Sequence, residues 1–123
     1  MKKYYLMAIQ KGDSYAMFNL ATYYQFTEKD YDKMKEYYLM AIDNGNIPAM
    51  NDLGYYYYEV EQDYDKMKHY YLMAIDKGDI SAMNNLGLYY CNVEKDFDKI
   101  VSDLENLSNQ AKLFAENLRS TKK

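Results

Sequence analysis

Histidine and cysteine, two residue types that often catalyse reactions or bind metals, are nearly absent from this sequence. His69 is the only histidine and Cys91 is the only cysteine among the 123 residues. A metal site needs several such ligands together, and a nucleophile needs a neighbouring base, so neither residue has the partners it would require. Acidic pairs such as Asp63 with Asp65 recur along the chain and are better explained as helix caps. We therefore expect no enzyme activity, no metal and no cofactor.

The chemistry that remains is non-covalent and is dominated by aromatic rings, because the chain contains 17 tyrosines. It carries 19 acidic and 15 basic residues, a formal charge of -4 at pH 7, so it lacks the positive charge that drives nucleic-acid binding.

The apolar run over residues 4–9 is too short to span a membrane or to serve as a secretion signal. A single cysteine excludes an internal disulfide and favours a reducing, cytoplasmic location.

An internal repeat organises the chain. The hexapeptide YYLMAI begins at Tyr4, Tyr37 and Tyr70, which lie 33 residues apart. Segments 1–33, 34–66 and 67–99 therefore align without a gap, and the first begins in the middle of a repeat unit. A period of this length is typical of two helices joined by short turns.

Glycine and aspartate mark where the helices should begin and end. Gly12, Gly45 and Gly78 are each followed by Asp or Asn, a glycine helix stop followed by the cap of the next helix. Asp30 and Asp63 can cap the other helix of each unit. The pattern predicts helices near residues 1–11, 14–26, 31–43, 48–60, 64–77 and 80–92.

These residues resemble a known repeat family. Ala49-x-x-x-Leu53-Gly54-x-x-Tyr57, followed by Asp63, Lys66, Tyr70-Tyr71, Ala74 and Gly78, is similar to the Sel-one-like repeat, a relative of the tetratricopeptide repeat. The resemblance covers residues 1–99. The family's Gly-rich insertion between the helices is missing, and Ala21 replaces the packing glycine in the first unit. The Tyr-, Asn-, Lys- and Ile-rich composition is similar to repeat arrays of giant DNA viruses, although an AT-rich genome alone could also produce it.

The resemblance implies a fold and a binding surface. The fold would be an all-α, right-handed solenoid of helix-turn-helix repeats. Its concave face would carry residues that differ from unit to unit: Phe18, Thr22, Gln25, Asn51, Tyr55, Tyr58, Glu59, Asn84, Leu88 and Cys91. Such a groove could hold a peptide through aromatic contacts and hydrogen bonds. The alternative is that these side chains pack on one another or face water.

The C-terminal segment departs from the repeat. Ile100, Leu104, Leu107, Ala111, Phe114 and Leu118 have heptad spacing, which predicts one long helix over 97–119 and a tail over 120–123. We expect this helix to cap the array. Its exposed seam, Leu107, Ala111, Phe114 and Leu118, could instead pair with a second chain. A break near Ser108 is the alternative to a single helix.

The expected function follows from the resemblance and not from any catalytic motif. It is a non-catalytic scaffold or adaptor that presents a tyrosine-rich groove to a protein or peptide. The alternative is a self-associating structural module, a homodimer formed through the N-terminal edge or the C-terminal heptad helix. The sequence does not name the partner.

Overall fold

Helices account for all the regular structure in the part of the chain that is described. The structure is a computed structural model, and it describes residues 2–94 together with 98, 101, 102, 113 and 116. Within residues 2–94 the α-helices are α1 (Lys2–Gln10), α2 (Ser14–Tyr23), α3 (Tyr31–Asp43), α4 (Ile47–Tyr56), α5 (Tyr64–Asp76) and α6 (Ile80–Tyr89). These residues contain no strand. The predicted all-α class is therefore confirmed.

The predicted caps begin the helices. The Asp30 carboxylate accepts a hydrogen bond from the Lys33 backbone N–H at 3.2 Å, and Asp63 accepts from Lys66 at 3.2 Å. Asn46, which is buried, accepts from the Ala49 N–H at 2.9 Å. Each bond satisfies a backbone donor that the first turn of a helix leaves without a partner.

The ends of α2, α4 and α6 were not predicted. Each of these helices widens into a π-helical turn, Tyr24–Glu28, Tyr57–Glu61 and Tyr90–Glu94 respectively. In the first, the Tyr24 carbonyl accepts from the N–H groups of Lys29 and Asp30, and Lys29 adopts a left-handed conformation with φ 55°. In the second turn, Gln62 adopts the left-handed conformation with φ 53°, and its N–H donates to the Tyr57 carbonyl. A left-handed residue other than glycine costs about 1 kcal/mol, so no sequence signal pointed to this turn.

Tyrosine rings hold the π-helical turns against the helix that follows. The rings of Tyr24 and Tyr37 stack at 5.6 Å with an interplanar angle of 8°, and the Lys33 ammonium lies 5.4 Å from the Tyr24 ring centroid. Tyr57 and Tyr70 stack in the same way at 5.8 Å and 6°. Part of the high tyrosine content therefore has a structural role.

The described residues divide into two compact units, one ending at Leu53 and one beginning at Gly54. In the first unit α2 packs against α1 and α3, and Leu20 and Tyr38 are fully buried. In the second unit α5 packs against α6, and Met67 and Leu86 are fully buried. Each unit therefore has its own apolar core.

The predicted C-terminal helix over 97–119 lies mostly outside the described residues. Asp98, Val101, Ser102, Leu113 and Glu116 are helical. The seam residues Leu107, Ala111, Phe114 and Leu118 and the tail over 120–123 lie outside the described part. The capping and dimer-seam roles stay predictions.

Candidate functional site

An open cleft in the second unit, here called the Tyr55 cleft, brings together several residues predicted to bind a partner. Its volume is about 160 Å³. Tyr55 and Leu88 stand at its edge with 50% and 61% of their surfaces exposed. The full lining consists of Tyr55, Tyr58, Tyr71, Asn85, Leu88, Tyr89 and Asn92. The cleft combines exposed apolar surface with side-chain amides.

Ring contacts hold the walls of the Tyr55 cleft in place. Tyr58 meets Tyr89 edge to face at 6.2 Å, and Tyr64 contacts both rings from outside the cleft at 6.1 Å and 5.1 Å. Tyr71 is almost completely buried, and its ring lies against the backbone at Gly54. The cleft is therefore built on packed aromatic rings and not on loops.

A related cleft lies in the first unit and is here called the Phe26 cleft. Its volume is about 240 Å³, and it is lined by Tyr5, Asn19, Thr22, Tyr23, Phe26 and Thr27. Five of these residues lie 66 residues before residues of the Tyr55 cleft: Tyr5 before Tyr71, Asn19 before Asn85, Thr22 before Leu88, Tyr23 before Tyr89, and Phe26 before Asn92. The residue is the same in both clefts at three of these five pairs of positions, two Tyr and one Asn, here called the common frame. The residues differ at the other two pairs.

Three predicted groove residues of the first unit contact Tyr38, two of them at its hydroxyl group. This hydroxyl donates to Oε1 of Gln25 at 2.8 Å, and Oγ1 of Thr22 lies 3.4 Å from it. The Phe18 ring lies 6.0 Å from the Tyr38 ring. Burial raises the pKa of Tyr38 to about 12, the Thr22 hydrogen bond lowers it, and the charge of Asp52 raises it. Phe18 and Gln25 thus have a structural role inside the unit.

The predicted residues therefore divide into three sets. Tyr55, Tyr58 and Leu88 line the Tyr55 cleft, and Thr22 lines the Phe26 cleft. Phe18 and Gln25 contact Tyr38. Asn51 is half-buried, whereas Glu59, Asn84 and Cys91 are exposed, and these four line neither of the two clefts.

Sequence reasoning missed Asn85, Tyr89 and Asn92. Each follows a predicted residue by one position, which corresponds to a rotation of about 100° around the helix. For Tyr89 the sequence did contain a signal, because a tyrosine recurs at positions 23, 56 and 89, each time directly after a predicted groove residue. The amides of Asn85 and Asn92 carried no comparable signal, because their place in the cleft depends on the orientation of α6 and of the π-helical turn that follows it.

Asp52 occupies the repeat position that carries Asn19 and Asn85 in the other units. Burial raises the pKa of Asp52, so the folded state favours its neutral form and loses stability as the pH rises through that pKa. We expect Asp52→Asn to increase the free energy of unfolding at pH 7 by less than about 1 kcal/mol. Urea unfolding at pH 7 and pH 3 measures this, and the gain should disappear at the lower pH.

A matched control for that experiment is Asp32→Asn, which removes an exposed carboxylate from the first turn of α3. This variant should gain no stability, because its charge favours the positive end of the helix. An equal effect of both variants, or a gain from Asp52→Asn that is the same at both pH values, would contradict the burial argument.

The residues with the greatest chemical reactivity lie outside both clefts. His69 is exposed on α5, and its ring meets Tyr70 edge to face at 4.9 Å. Cys91 is an exposed free thiol. Among the described residues, no group of three or more His, Cys, Asp or Glu side chains could hold a metal ion. In the same part of the chain, no helix has both the length and the apolar character needed to cross a membrane.

The clefts are chemically suited to holding a side chain. Aromatic rings provide apolar contact area at low conformational cost, and the amides can both donate and accept hydrogen bonds to a backbone. The volume of the Tyr55 cleft, about 160 Å³, is below the roughly 300 Å³ at the lower end for small-molecule pockets. Searches of protein-family models, of curated proteins and of solved structures found no match to this chain.

Proposed function

We propose that this protein is a non-catalytic scaffold or adaptor that binds a protein or peptide through a tyrosine-rich surface. In this proposal the 33-residue units form a short α-solenoid of the Sel-one-like type. The residue pattern around Leu53, Gly54 and Tyr57 and the similar placement of caps and π-helical turns in successive units support that arrangement.

One observation carries the functional proposal. The Tyr55 cleft and the Phe26 cleft use equivalent positions, with the same Tyr and Asn frame and different variable residues. Each cleft keeps the shared residues and varies the exposed ones, so each is a separate candidate site for a partner's side chain. Leu88 and Asn92 in one cleft replace Thr22 and Phe26 in the other, so each cleft would accept a different side chain.

The size and composition of the Tyr55 cleft favour a peptide over a small molecule. Its volume suits one side chain, and exposed Tyr55 and Leu88 extend the contact surface beyond it. Tyrosine is enriched among the residues that dominate binding energy at protein interfaces. The exposed Asn92 adds an amide that can pair with the peptide's own amide groups.

The test is selection of binding peptides from a random decapeptide library displayed on phage, with the full chain as the target. For synthetic copies of the selected peptides, Tyr55→Ala is expected to raise the dissociation constant at least tenfold, because it removes an exposed ring that projects into the cleft. Fluorescence anisotropy with labelled peptides measures the change.

The matched control is Tyr15→Ala, which removes a ring with 64% exposure that lines neither cleft. It should change the dissociation constant less than twofold. Thermal unfolding of each variant separates lost binding from lost structure. Selected peptides that bind wild type and Tyr55→Ala equally well would place the binding surface elsewhere, and an empty selection would count against peptide binding.

A second candidate is self-association, which one observation on α1 favours. Tyr4, Leu6 and Met7 expose 74%, 43% and 51% of their surfaces. Of their equivalents on α3, Tyr37 and Met40 are half-buried and Tyr37 stacks on Tyr24, whereas Leu39 is 41% exposed, about as much as Leu6. Light scattering on the same protein samples decides between the candidates. A dimer that Leu6→Asp converts to a monomer would favour self-association, whereas a monomer throughout would leave the adaptor proposal in place.

A further inference from the structure

An acidic cleft adjoins the Tyr55 cleft in the second unit. It is open and larger, about 610 Å³, and it is lined by Glu61, Gln62, Asp63, Tyr64, Asp65, Lys68 and Tyr89. Three of these residues carry a negative charge and one carries a positive charge, so the lining has a net charge of −2. Tyr89 lines both clefts, which makes them neighbours on one surface.

Aromatic rings connect the two clefts without interruption. Tyr58 belongs to the Tyr55 cleft, Tyr64 belongs to the acidic cleft, and Tyr89 belongs to both. The three ring centroids lie 5.1 to 6.2 Å from one another. A partner that extends from one cleft to the other would stay in contact with aromatic surface.

A lysine ammonium group already lies close to aromatic rings at the acidic cleft. The Lys68 ammonium lies 5.5 Å from the centroid of the Tyr89 ring and 5.8 Å from that of Tyr90. This is the geometry in which the negative face of an aromatic ring attracts a positive charge. The exposed carboxylate of Asp65 stands at the same cleft, so a second cation would meet both a ring and a carboxylate.

We propose that the partner is a basic peptide, with an apolar side chain in the Tyr55 cleft and an arginine or lysine in the acidic cleft. The proposal rests on the peptide-binding function proposed above and specifies the chemistry of the ligand. Charge complementarity selects this occupant, because the net negative lining would repel an acidic peptide and a neutral peptide would gain nothing from it.

The first unit supplies a variant that should retain the fold. Gln62 corresponds to Lys29 one repeat earlier, and both adopt the left-handed conformation, with φ 53° and 55°. Lysine therefore fits this backbone in the chain itself. Gln62→Lys places a positive charge at the acidic cleft and leaves the rings of the Tyr55 cleft unchanged.

A second pair of variants separates charge from helix stability. Asp65 and Asp32 occupy the same place in the first turns of α5 and α3, and only Asp65 lines the acidic cleft. Asp65→Asn and Asp32→Asn therefore remove the same interaction with a helix terminus. Asp63 is unsuitable for this purpose, because it caps α5 and lies 3.9 Å from the Lys66 ammonium.

The experiment uses the full chain and the decapeptides selected from the random phage library. The expected result is an excess of arginine and lysine in peptides whose binding depends on Tyr55. Gln62→Lys and Asp65→Asn should each raise their dissociation constants about threefold, and the two changes together should raise them about tenfold. Asp32→Asn should leave them unchanged. Replacing the peptide's arginine by citrulline, which keeps the shape and removes the charge, should abolish the response to Gln62→Lys.

The outcomes separate this inference from the function on which it rests. Peptides that need Tyr55 but show no excess of basic residues, or that bind Gln62→Lys as well as wild type, would overturn the basic-peptide proposal and leave peptide binding intact. If no selected peptide depends on Tyr55, the basic-peptide proposal and the assignment of peptide binding to the Tyr55 cleft both fail. An equal loss of affinity in Asp65→Asn and Asp32→Asn would assign the effect to helix stability and would also overturn the inference.

Discussion

Replacing Gly54 by valine is expected to lower the free energy of unfolding by about 3 kcal/mol. A Cβ atom at this position would lie 2.9 Å from both Cδ1 and Cε1 of Tyr71, closer than carbon atoms can approach without movement. Tyr71 is only 1% exposed, so its ring has little room to move away. Valine adds two further methyl groups to this clash. Equilibrium unfolding in urea, followed by far-ultraviolet circular dichroism, measures the loss.

The first unit provides the control for this prediction. Ala21 occupies the equivalent position, where it is completely buried. Ala21→Gly should also destabilise the protein, by about 1 kcal/mol, because glycine is a poor helix former. Glycine at 54 and alanine at 21 would then each be the better residue in its own place. A Gly54→Val variant as stable as wild type would show that the ring of Tyr71 can move without cost.

Replacing Tyr38 by leucine is also expected to cost about 3 kcal/mol. Tyr38 is completely buried, its ring contacts Phe18, and its hydroxyl donates to Gln25 at 2.8 Å. Leucine would leave a cavity and would deprive the Gln25 carbonyl oxygen of this donor. Tyr31→Leu is the matched control on the same helix, because Tyr31 is 38% exposed and should change stability by less than about 0.5 kcal/mol. Equal effects at the two positions would contradict the burial argument.

The smaller change Tyr38→Phe tests the raised pKa directly. At pH 8 it should cost about 1 kcal/mol, because it removes the hydrogen bond to Gln25. The Tyr38 hydroxyl ionises near pH 10 in the unfolded chain and near pH 12 in the folded protein. Wild type therefore loses up to about 2 to 3 kcal/mol of stability as the pH rises from 10 to 12, and the phenylalanine variant does not lose this contribution.

The order of stability should consequently reverse in strongly alkaline solution. The other tyrosines titrate in both proteins and cancel in the difference between them. Urea unfolding of wild type and Tyr38→Phe at several pH values between 8 and 12 measures that difference. A difference that stays constant over this range would show that Tyr38 ionises at the same pH in the folded and unfolded states.

Local sequence signals predicted the elements well, because each acts over a few residues. Asp30 and Asp63 reach donors only three residues away, so the helix starts could be inferred without the tertiary structure. The left-handed glycines at 12, 45 and 78, with φ of +84°, +81° and +86°, follow from the absence of a Cβ atom. The π-helical turns were missed because Lys29 and Gln62 adopt the same conformation without any such advantage.

Side-chain partners distant in sequence were decided by the tertiary structure. Gln25 and Tyr58 occupy equivalent repeat positions, yet Gln25 accepts a hydrogen bond from the buried Tyr38 while Tyr58 lines the Tyr55 cleft. Which of them becomes part of a cleft depends on the rotation of one helix against the next. A repeat alignment fixes the position of a residue along a helix but not this rotation.

Composition and periodicity alone were enough to predict the helical class, the order of the helices and a binding surface of aromatic rings and amides on an acidic chain. Those properties depend on short-range capping, periodicity and composition, which can be read along the chain. Only the tertiary structure showed that Tyr89 joins the Tyr55 cleft to the acidic cleft and that Gly54 accommodates the ring of Tyr71. Those contacts join different helices, so they exist only once packing has set the distance and rotation between them.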